Sequence, residues 1–444
     1  MGRCAVSTQK QKRPFALRAL AAFAGTLAIL FVLLLAAYAL PGERVRQHVY
    51  DSARTIQNEG LYPEYLGFKL FQMDNYTDTL MLFEAASADE LPPLQAMMTN
   101  TAYNVDNFET LADDLAWYIE KDWSTGAQRT DAPALEPFSY ARYWHGYLIW
   151  LRPLLLLMPY TGVRIVQYIV LFSLLAVVLV QLRRRCGLRA AVWFAVSQLA
   201  VSVWFVPHQV QYFTCFMIAY AGCAWVLAKP RRSDVLCLGL LVLGTATAFC
   251  DLLVTPIITL GLPLTCWLLE PQQRLRGGVP QCALAVGCSL CWGTGYALCW
   301  ASKWALAGAV TGNNVLADAL HQAEVRTTAD TWHGMELTWR NIFGFLYDML
   351  NSHHLFWPAL AVLAVLIALF ILSIRSKTAL VRALPLALTT CMTPAWFVLL
   401  RTHSIQHGWF TWRALGLTVF AGLAFLYYAC DLRAARRRLQ KGSI

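Results

Sequence analysis

The chain has 444 residues, 58% hydrophobic and only 14% charged, with 36 Lys+Arg against 26 Asp+Glu. Soluble domains run nearer roughly 45–50% apolar and about 25% charged. The balance excludes a disordered chain, a coiled coil and an ordinary cytosolic enzyme. A mean hydropathy of +0.46 and repeated long apolar runs leave a multi-pass α-helical membrane protein, an all-α integral membrane fold.

A helix rises about 1.5 Å per residue, so about 20 apolar residues cross the hydrocarbon core. That ruler predicts ten spans, at 15–40, 162–182, 188–206, 209–228, 235–251, 252–269, 280–306, 355–374, 380–400 and 409–430. The fifth and sixth are short and parted only by Asp251, so a broken re-entrant hairpin is the alternative there. Between the spans, 22 Lys and Arg and only three acids fall on one side, among them Arg183–Arg185, Arg274, Arg375, Arg382 and the basic tail. The positive-inside rule makes that side, with both termini, cytoplasmic. Anionic lipid headgroups account for the basic surplus without nucleic acid.

The expected organisation is a cytoplasmic N-terminus (1–14), a first span (15–40), and a long extracytoplasmic loop (41–161). Spans two to seven lie within 162–306, a second extracytoplasmic loop covers 307–354, spans eight to ten fill 355–430, and a cytoplasmic tail covers 431–444. Ala37-Tyr38-Ala39 could mark signal cleavage, but the apolar stretch before it is longer than such signals carry. All nine histidines fall on the outer side, whereas no cysteine falls in the first loop. Disulfides form on the oxidising side, so the cysteines read as small buried apolar residues.

The first loop reads as short helices. Val45, Val49 and Ile56 mark one, ended by Gly60; Thr77 is a plausible N-cap for LMLFEAA; Asp106 or Asn107 would cap a third. In MDNYTDTLML, Asp78 suits a helix N-terminus, while Asp74 precedes the expected cap and is the preferred candidate base. Asn75-Tyr76-Thr77 also fits a glycosylation sequon. The loop ends in YARYWHGYLIWLRPLLLLMPY, too short to span and rich in Tyr and Trp. That pattern predicts a helix in the headgroup plane, with Arg142, His145 and Arg152 either snorkelling or binding a phosphorylated lipid.

Further along, FCDLLVTP places Asp251 between two apolar runs, where a charge needs a partner, water or a shallow depth. Lys303 lies about a turn from the outer end of its span, flanked by Trp300 and Trp304. Arg326 and Arg340 occupy the second loop. RTHSIQHGWFTWR is the densest polar cluster. His403 and His407 share a helical face, beside Arg401 and Arg413, as groups facing an oxyanion would. HxxxH without a nearby carboxylate is weak metal evidence, so no cofactor is predicted, though a divalent metal stays open. No nucleotide-binding loop or soluble-hydrolase motif stands in a supporting context.

One span followed by a long outer loop with an early Asp, interfacial helices and many further spans resembles the GT-C superfamily of membrane glycosyltransferases. MDNYTDTLML, YARYWHGYLIWLRP, FCDLLVTP and HSIQHGWFTWR also look like a group of uncharacterised bacterial multi-pass proteins. The resemblance implies a bacterial plasma-membrane enzyme with an extracytoplasmic active face. It would move a sugar from a polyprenyl-phosphate-linked donor to a cell-envelope glycan or lipid acceptor. Asp74, with Asp78 beside it, would be the catalytic pair. Arg142, His145, Arg152, Asp251, Lys303, Arg326, His403, His407 and Arg413 would bind substrate or phosphate. A polymerase or ligase of lipid-linked saccharides, and a flippase or transporter of an anionic lipid-linked solute, are the alternatives. Convergence of Asp74, Lys303 and the 401–413 segment on one cavity open to lipid would favour the enzyme, and their dispersal would count equally against it.

Overall fold

The computed structural model describes residues 14–88, 90–104, 136–274, 278–327, 331–332, 335–336 and 338–431. Its helices are α1 (Phe15–Tyr38), α2 (Gly42–Glu59), α3 (Asn75–Ser87), α4 (Pro93–Thr99), α5 (Leu148–Leu155) and α6 (Tyr160–Cys186). There follow α7 (Leu188–Ala200), α8 (Val210–Ala228), α9 (Ser233–Cys250), α10 (Ile257–Leu268), α11 (Pro271–Arg274) and α12 (Gly278–Thr311). The remainder are α13 (Val315–Thr327), α14 (Trp339–Ile342), α15 (Gly344–Asn351), α16 (Phe356–Ser373), α17 (Lys377–Leu399), α18 (Arg401–Thr411) and α19 (Leu415–Ala429). Two short antiparallel pairs, Thr101–Asn104 with Glu136–Ser139 and Thr331–Trp332 with Met335–Glu336, are the β structure among the described residues.

Eight helical stretches are long and apolar enough to cross a membrane: α1, α6, α8, α9, α12, α16, α17 and the run Arg401–Ala429 formed by α18 and α19. This is a multi-pass α-helical membrane protein. The other two of the ten expected spans appear as shorter apolar helices, α7 and α10. Every residue of α10 is buried, so neighbouring helices surround it. The chain between α9 and α10 is irregular from Asp251 to Pro256, and the Asp251 carboxylate holds that break by accepting from the Val254 amide at 3.1 Å.

Small residues set a close helix contact. A Cβ on Gly244 of α9 would sit 2.1 Å from the Trp292 carbonyl oxygen, and one on Gly295 of α12 would sit 2.2 Å from that of Leu241. These two glycines let the backbones of α9 and α12 touch, where dispersion contacts replace the hydrophobic drive that lipid removes.

The first loop folds back onto the bundle. As the apolar spacing predicts, α2 buries Val45, Val49 and Ile56 and stops at Gly60, whose φ of +83° suits a residue without Cβ. Its last residue, Glu59, meets Arg164 of α6 in a two-pronged pair at 2.5 and 2.8 Å. Asn75 donates to Glu59 at 3.1 Å and accepts from Gln209 at 2.8 Å. Asp78 accepts from the Val210 and Gln211 amides at 2.9 and 3.2 Å, capping α8 from another element, and from the Tyr160 hydroxyl. This polar hub seats α2 and α3 on α6 and α8. The third expected loop helix, at Asp106 or Asn107, lies outside the described residues.

Three local expectations change. The cap of α3 is Asp74, three residues before Thr77, and its carboxylate accepts from the Thr77 amide at 3.0 Å. Asn75 of the sequon is buried inside the hub, where a glycan has no room. In the aromatic stretch 140–160, Trp144, Tyr147, Leu148, Leu151 and Arg152 are all buried against the bundle, so Arg152 does not snorkel. Tyr and Trp suit either environment, because each joins an apolar body to a polar tip.

Candidate functional site

The hub and the break at Asp251 together shape a cavity of about 290 Å³ between the two loops and the bundle. One face of α3 supplies Tyr76, Thr77, Leu80, Met81 and Glu84. The 140–147 turn supplies Tyr140, Arg142, Tyr143, His145 and Tyr147; α13 supplies Arg326; α18 supplies His403 and His407. Leu252, Val254, Gln211 and Phe410 close it. Segments far apart in sequence therefore meet here.

The 140–147 turn is fixed in a costly conformation. His145 has φ +54°, in the left-handed region, and the following Gly146 amide donates to the Phe249 carbonyl at 2.8 Å. A Cβ at Gly146 would lie 2.5 Å from that same oxygen, so glycine is required. Trp144 stacks on Phe249 with centroids 4.7 Å apart and donates to the Cys299 carbonyl at 2.8 Å. The turn thereby directs His145 at Glu84.

Glu84 is the one carboxylate lining the chamber among the described residues, and it is buried. Its Oε2 accepts from the Tyr147 hydroxyl at 2.6 Å and faces His145 Nδ1 at 2.6 Å. The other ring nitrogen of His145 faces the Tyr140 carbonyl at 3.3 Å. Glu84 Oε1 is buried with no hydrogen-bond partner. A buried acceptor without a donor costs about 1–3 kcal/mol, so this oxygen is primed to take a proton or a hydroxyl.

Arginines and histidines line other parts of the chamber. Arg326 donates to the Tyr143 hydroxyl at 3.0 Å, and Arg142 pairs with Asp318 at 3.2 Å while lying 4.5 Å over the Tyr140 ring. The His403 and His407 rings are 4.7 Å apart, as their four-residue spacing predicts. Thr402 donates to the Val325 carbonyl at 2.9 Å, which ties the histidine helix to the one bearing Arg326.

A second cavity of about 250 Å³ adjoins the first and shares Arg142, Tyr143 and Arg326 with it. Its wall is aromatic and apolar: Tyr296, Trp300, Trp304, Trp396, Leu253 and Leu400. Trp304 donates to the Arg142 carbonyl at 3.0 Å, so the groove also braces the arginine at the junction.

The sequence candidates divide sharply. Arg142, His145, Arg326, His403 and His407 line the chamber; Asp74, Asp78, Arg152, Asp251, Lys303 and Arg413 do not. Asp74 spends both oxygens on Thr77, at 3.0 and 2.7 Å, behind that chamber-lining residue rather than in the wall itself. Burial raises its carboxyl above the ordinary range, and raises that of Asp78 to about 8 against the opposing pull of the Val210 and Gln211 amides. Lys303 is buried and donates to the Met97 carbonyl at 2.7 Å and Asn100 Oδ1 at 2.6 Å, closing the C-terminus of α4. Arg152 donates to the Leu40 carbonyl at 2.9 Å. Arg413 reaches the Gln72 carbonyl at 3.5 Å and lies 4.6 Å over Tyr212. Arg340 is exposed.

Glu84 and Gln211 were not anticipated. The signal for Glu84 was an acid set in the apolar run LMLFEAA, on one face with Tyr76, Thr77 and Leu80 by helical spacing. No cluster of three or more His, Cys, Asp or Glu side chains able to hold a metal occurs among the described residues. The chain matches no protein-family model, no curated protein and no solved structure.

Proposed function

We propose that the protein is a GT-C-like glycosyltransferase of a bacterial plasma membrane, acting on a polyprenyl-phosphate-linked sugar at the extracytoplasmic face. One observation carries this reading: an aromatic apolar groove and a polar chamber share Arg142, Tyr143 and Arg326 at their junction. An amphiphile with a phosphate between its apolar and polar parts suits that arrangement. The prenyl chain occupies the groove, the phosphate meets the guanidinium pair, and the sugar enters the chamber. The charge bias between the spans directs the chamber outward.

Glu84, not Asp74, is the base. Its Oε1 takes the proton of an acceptor hydroxyl, whose oxygen bonds to the anomeric carbon of the donor. The bond from that carbon to the phosphate oxygen breaks, and the polyprenyl phosphate leaves with the electron pair. Arg326 and Arg142 stabilise the charge gathering on the leaving phosphate, with His403 and His407 beside them. Tyr147 and His145 hold Glu84 Oε2 so that Oε1 faces the acceptor. The acceptor is a cell-envelope glycan or lipid.

The test offers the full-length protein a panel of polyprenyl-phosphate-linked hexoses and pentoses with envelope extracts and measures released polyprenyl phosphate. Arg326→Ala should lower release by about 10²-fold or more, the usual loss of one oxyanion donor. Release that ignores Arg326 would sink the reading.

A further inference from the structure

The helices that wall the aromatic groove also wall a separate cavity at their other ends. On α12, Gln281 and Trp300 stand about 28 Å apart along the axis, and on α17 Arg382 and Trp396 about 21 Å. This distant cavity, of about 340 Å³, is lined by Arg274, Arg375, Arg382, Gln281, Ser376 and Tyr428, among others, with no carboxylate among the described lining residues.

Its donors are arranged for an anion. Arg274 donates to the Tyr428 hydroxyl at 2.5 Å and lies 4.9 Å over that ring; Arg375 donates to the Cys430 carbonyl at 2.5 Å. Each contact fixes a guanidinium and leaves further N–H groups to donate. Ser376 caps α17 by accepting from the Ala379 amide at 3.1 Å, so the positive end of a long helix also borders the cavity.

One acceptor breaks the pattern. Gln281 is only 4% exposed, and its Nε2 donates to the Gln273 carbonyl and Oε1 at 3.2 and 3.3 Å. Gln281 Oε1 is buried with no partner. An anion cannot satisfy that oxygen, but a hydroxyl beside a phosphate can. Around the cavity Val279, Val381 and Leu384 are exposed apolar side chains on the same two helices, where acyl chains can lie. A soluble phosphate ester would have no use for them.

We propose that this cavity binds the headgroup of an anionic glycerophospholipid bearing a free glycerol hydroxyl. The phosphate sits among Arg274, Arg375 and Arg382, and the hydroxyl donates to Gln281 Oε1. The acyl chains run along Val279, Val381 and Leu384. Basic pockets between spans on the positive-inside face are where such headgroups bind. The site is independent of the transfer reaction proposed above.

Native mass spectrometry of the full-length protein in neutral detergent, titrated with dioleoyl phosphatidylglycerol, phosphatidic acid, phosphatidylcholine or sn-glycerol 1-phosphate, decides the matter. Phosphatidylglycerol should bind at least about tenfold more tightly than phosphatidylcholine, and Arg382→Gln should weaken it by about tenfold. Gln281→Met, which keeps the shape but not the acceptor, should bring phosphatidylglycerol down to phosphatidic acid and leave the latter unchanged. Arg382 is exposed, so its variant keeps the fold, and thermal unfolding of both variants verifies this. Equal binding of phosphatidylglycerol and phosphatidylcholine overturns the site. Survival of the phosphatidylglycerol preference in a folded Gln281→Met overturns the hydroxyl assignment. Displacement of the lipid by equimolar sn-glycerol 1-phosphate overturns the lipid as occupant.

Discussion

The polar hub and the chamber adjoin at α3, where Thr77 and Gln211 belong to both, and use the same residue types to opposite ends. In the hub, Glu59, Asn75, Asp74, Asp78, Arg164 and Gln209 meet one another or backbone amides, and Asp78 alone gathers two amides and a hydroxyl. In the chamber, Glu84 Oε1 and Arg142 Nε are buried without partners. A saturated polar network fixes a fold, whereas unmet buried groups hold binding energy in reserve for a ligand. The comparison teaches that an acid's neighbours, rather than its place in the chain, make it a candidate for a site.

The largest expected effect falls on the hub. Asp78→Ala strands the Val210 and Gln211 amides and the Tyr160 hydroxyl, and should cost about 3–5 kcal/mol, as breaking a buried network does. Thermal unfolding in detergent measures it, and a loss near zero would mean the hub does not seat the loop. Gly146→Ala comes next. A methyl group against the Phe249 ring and carbonyl should cost about 1–3 kcal/mol and displace His145 from Glu84. Unfolding unchanged from the parent would contradict the required glycine. Asp74→Ala removes a helix cap and should cost about 1 kcal/mol.

The smallest effect is a slope with pH. Burial keeps Asp78 protonated in the fold up to about 8, whereas the unfolded side chain loses its proton near its ordinary value. The folded state then binds more protons between those values, so stability contributed by this group falls as pH rises through that window. Asp78→Asn should flatten the slope of unfolding temperature against pH. An undiminished slope would assign it to another group.

Much of the fold was legible in the sequence, because a span is a run of apolar residues and that run is visible. The end of α2 at Gly60 was equally plain. The cap of α3 was misplaced, since Asp74 and Thr77 both suit a helix start and only the Thr77 amide, pointing back at Asp74, decides. Lys303 showed its depth in the span but not its partners, which lie in α4 at the far side of the chain. Arg152 and Arg413 share that fate: they are as conspicuous as Arg326, yet carbonyls from remote segments claim them. His403 and His407 were legible because their relation is local, within one helix. Glu84 was overlooked because its two tethers, Tyr147 and His145, come from the far end of the loop.

The central claim, that catalysis belongs to the chamber and support to the hub, is most directly tested by comparing Glu84→Gln with Asp74→Asn in the full-length protein. Release of polyprenyl phosphate and thermal unfolding are measured on both. Glu84→Gln should unfold at the parent temperature and release nothing, while Asp74→Asn should unfold earlier and still turn over. A Glu84→Gln protein that releases phosphate at the parent rate, or an inert Asp74→Asn protein of parental stability, would contradict the account.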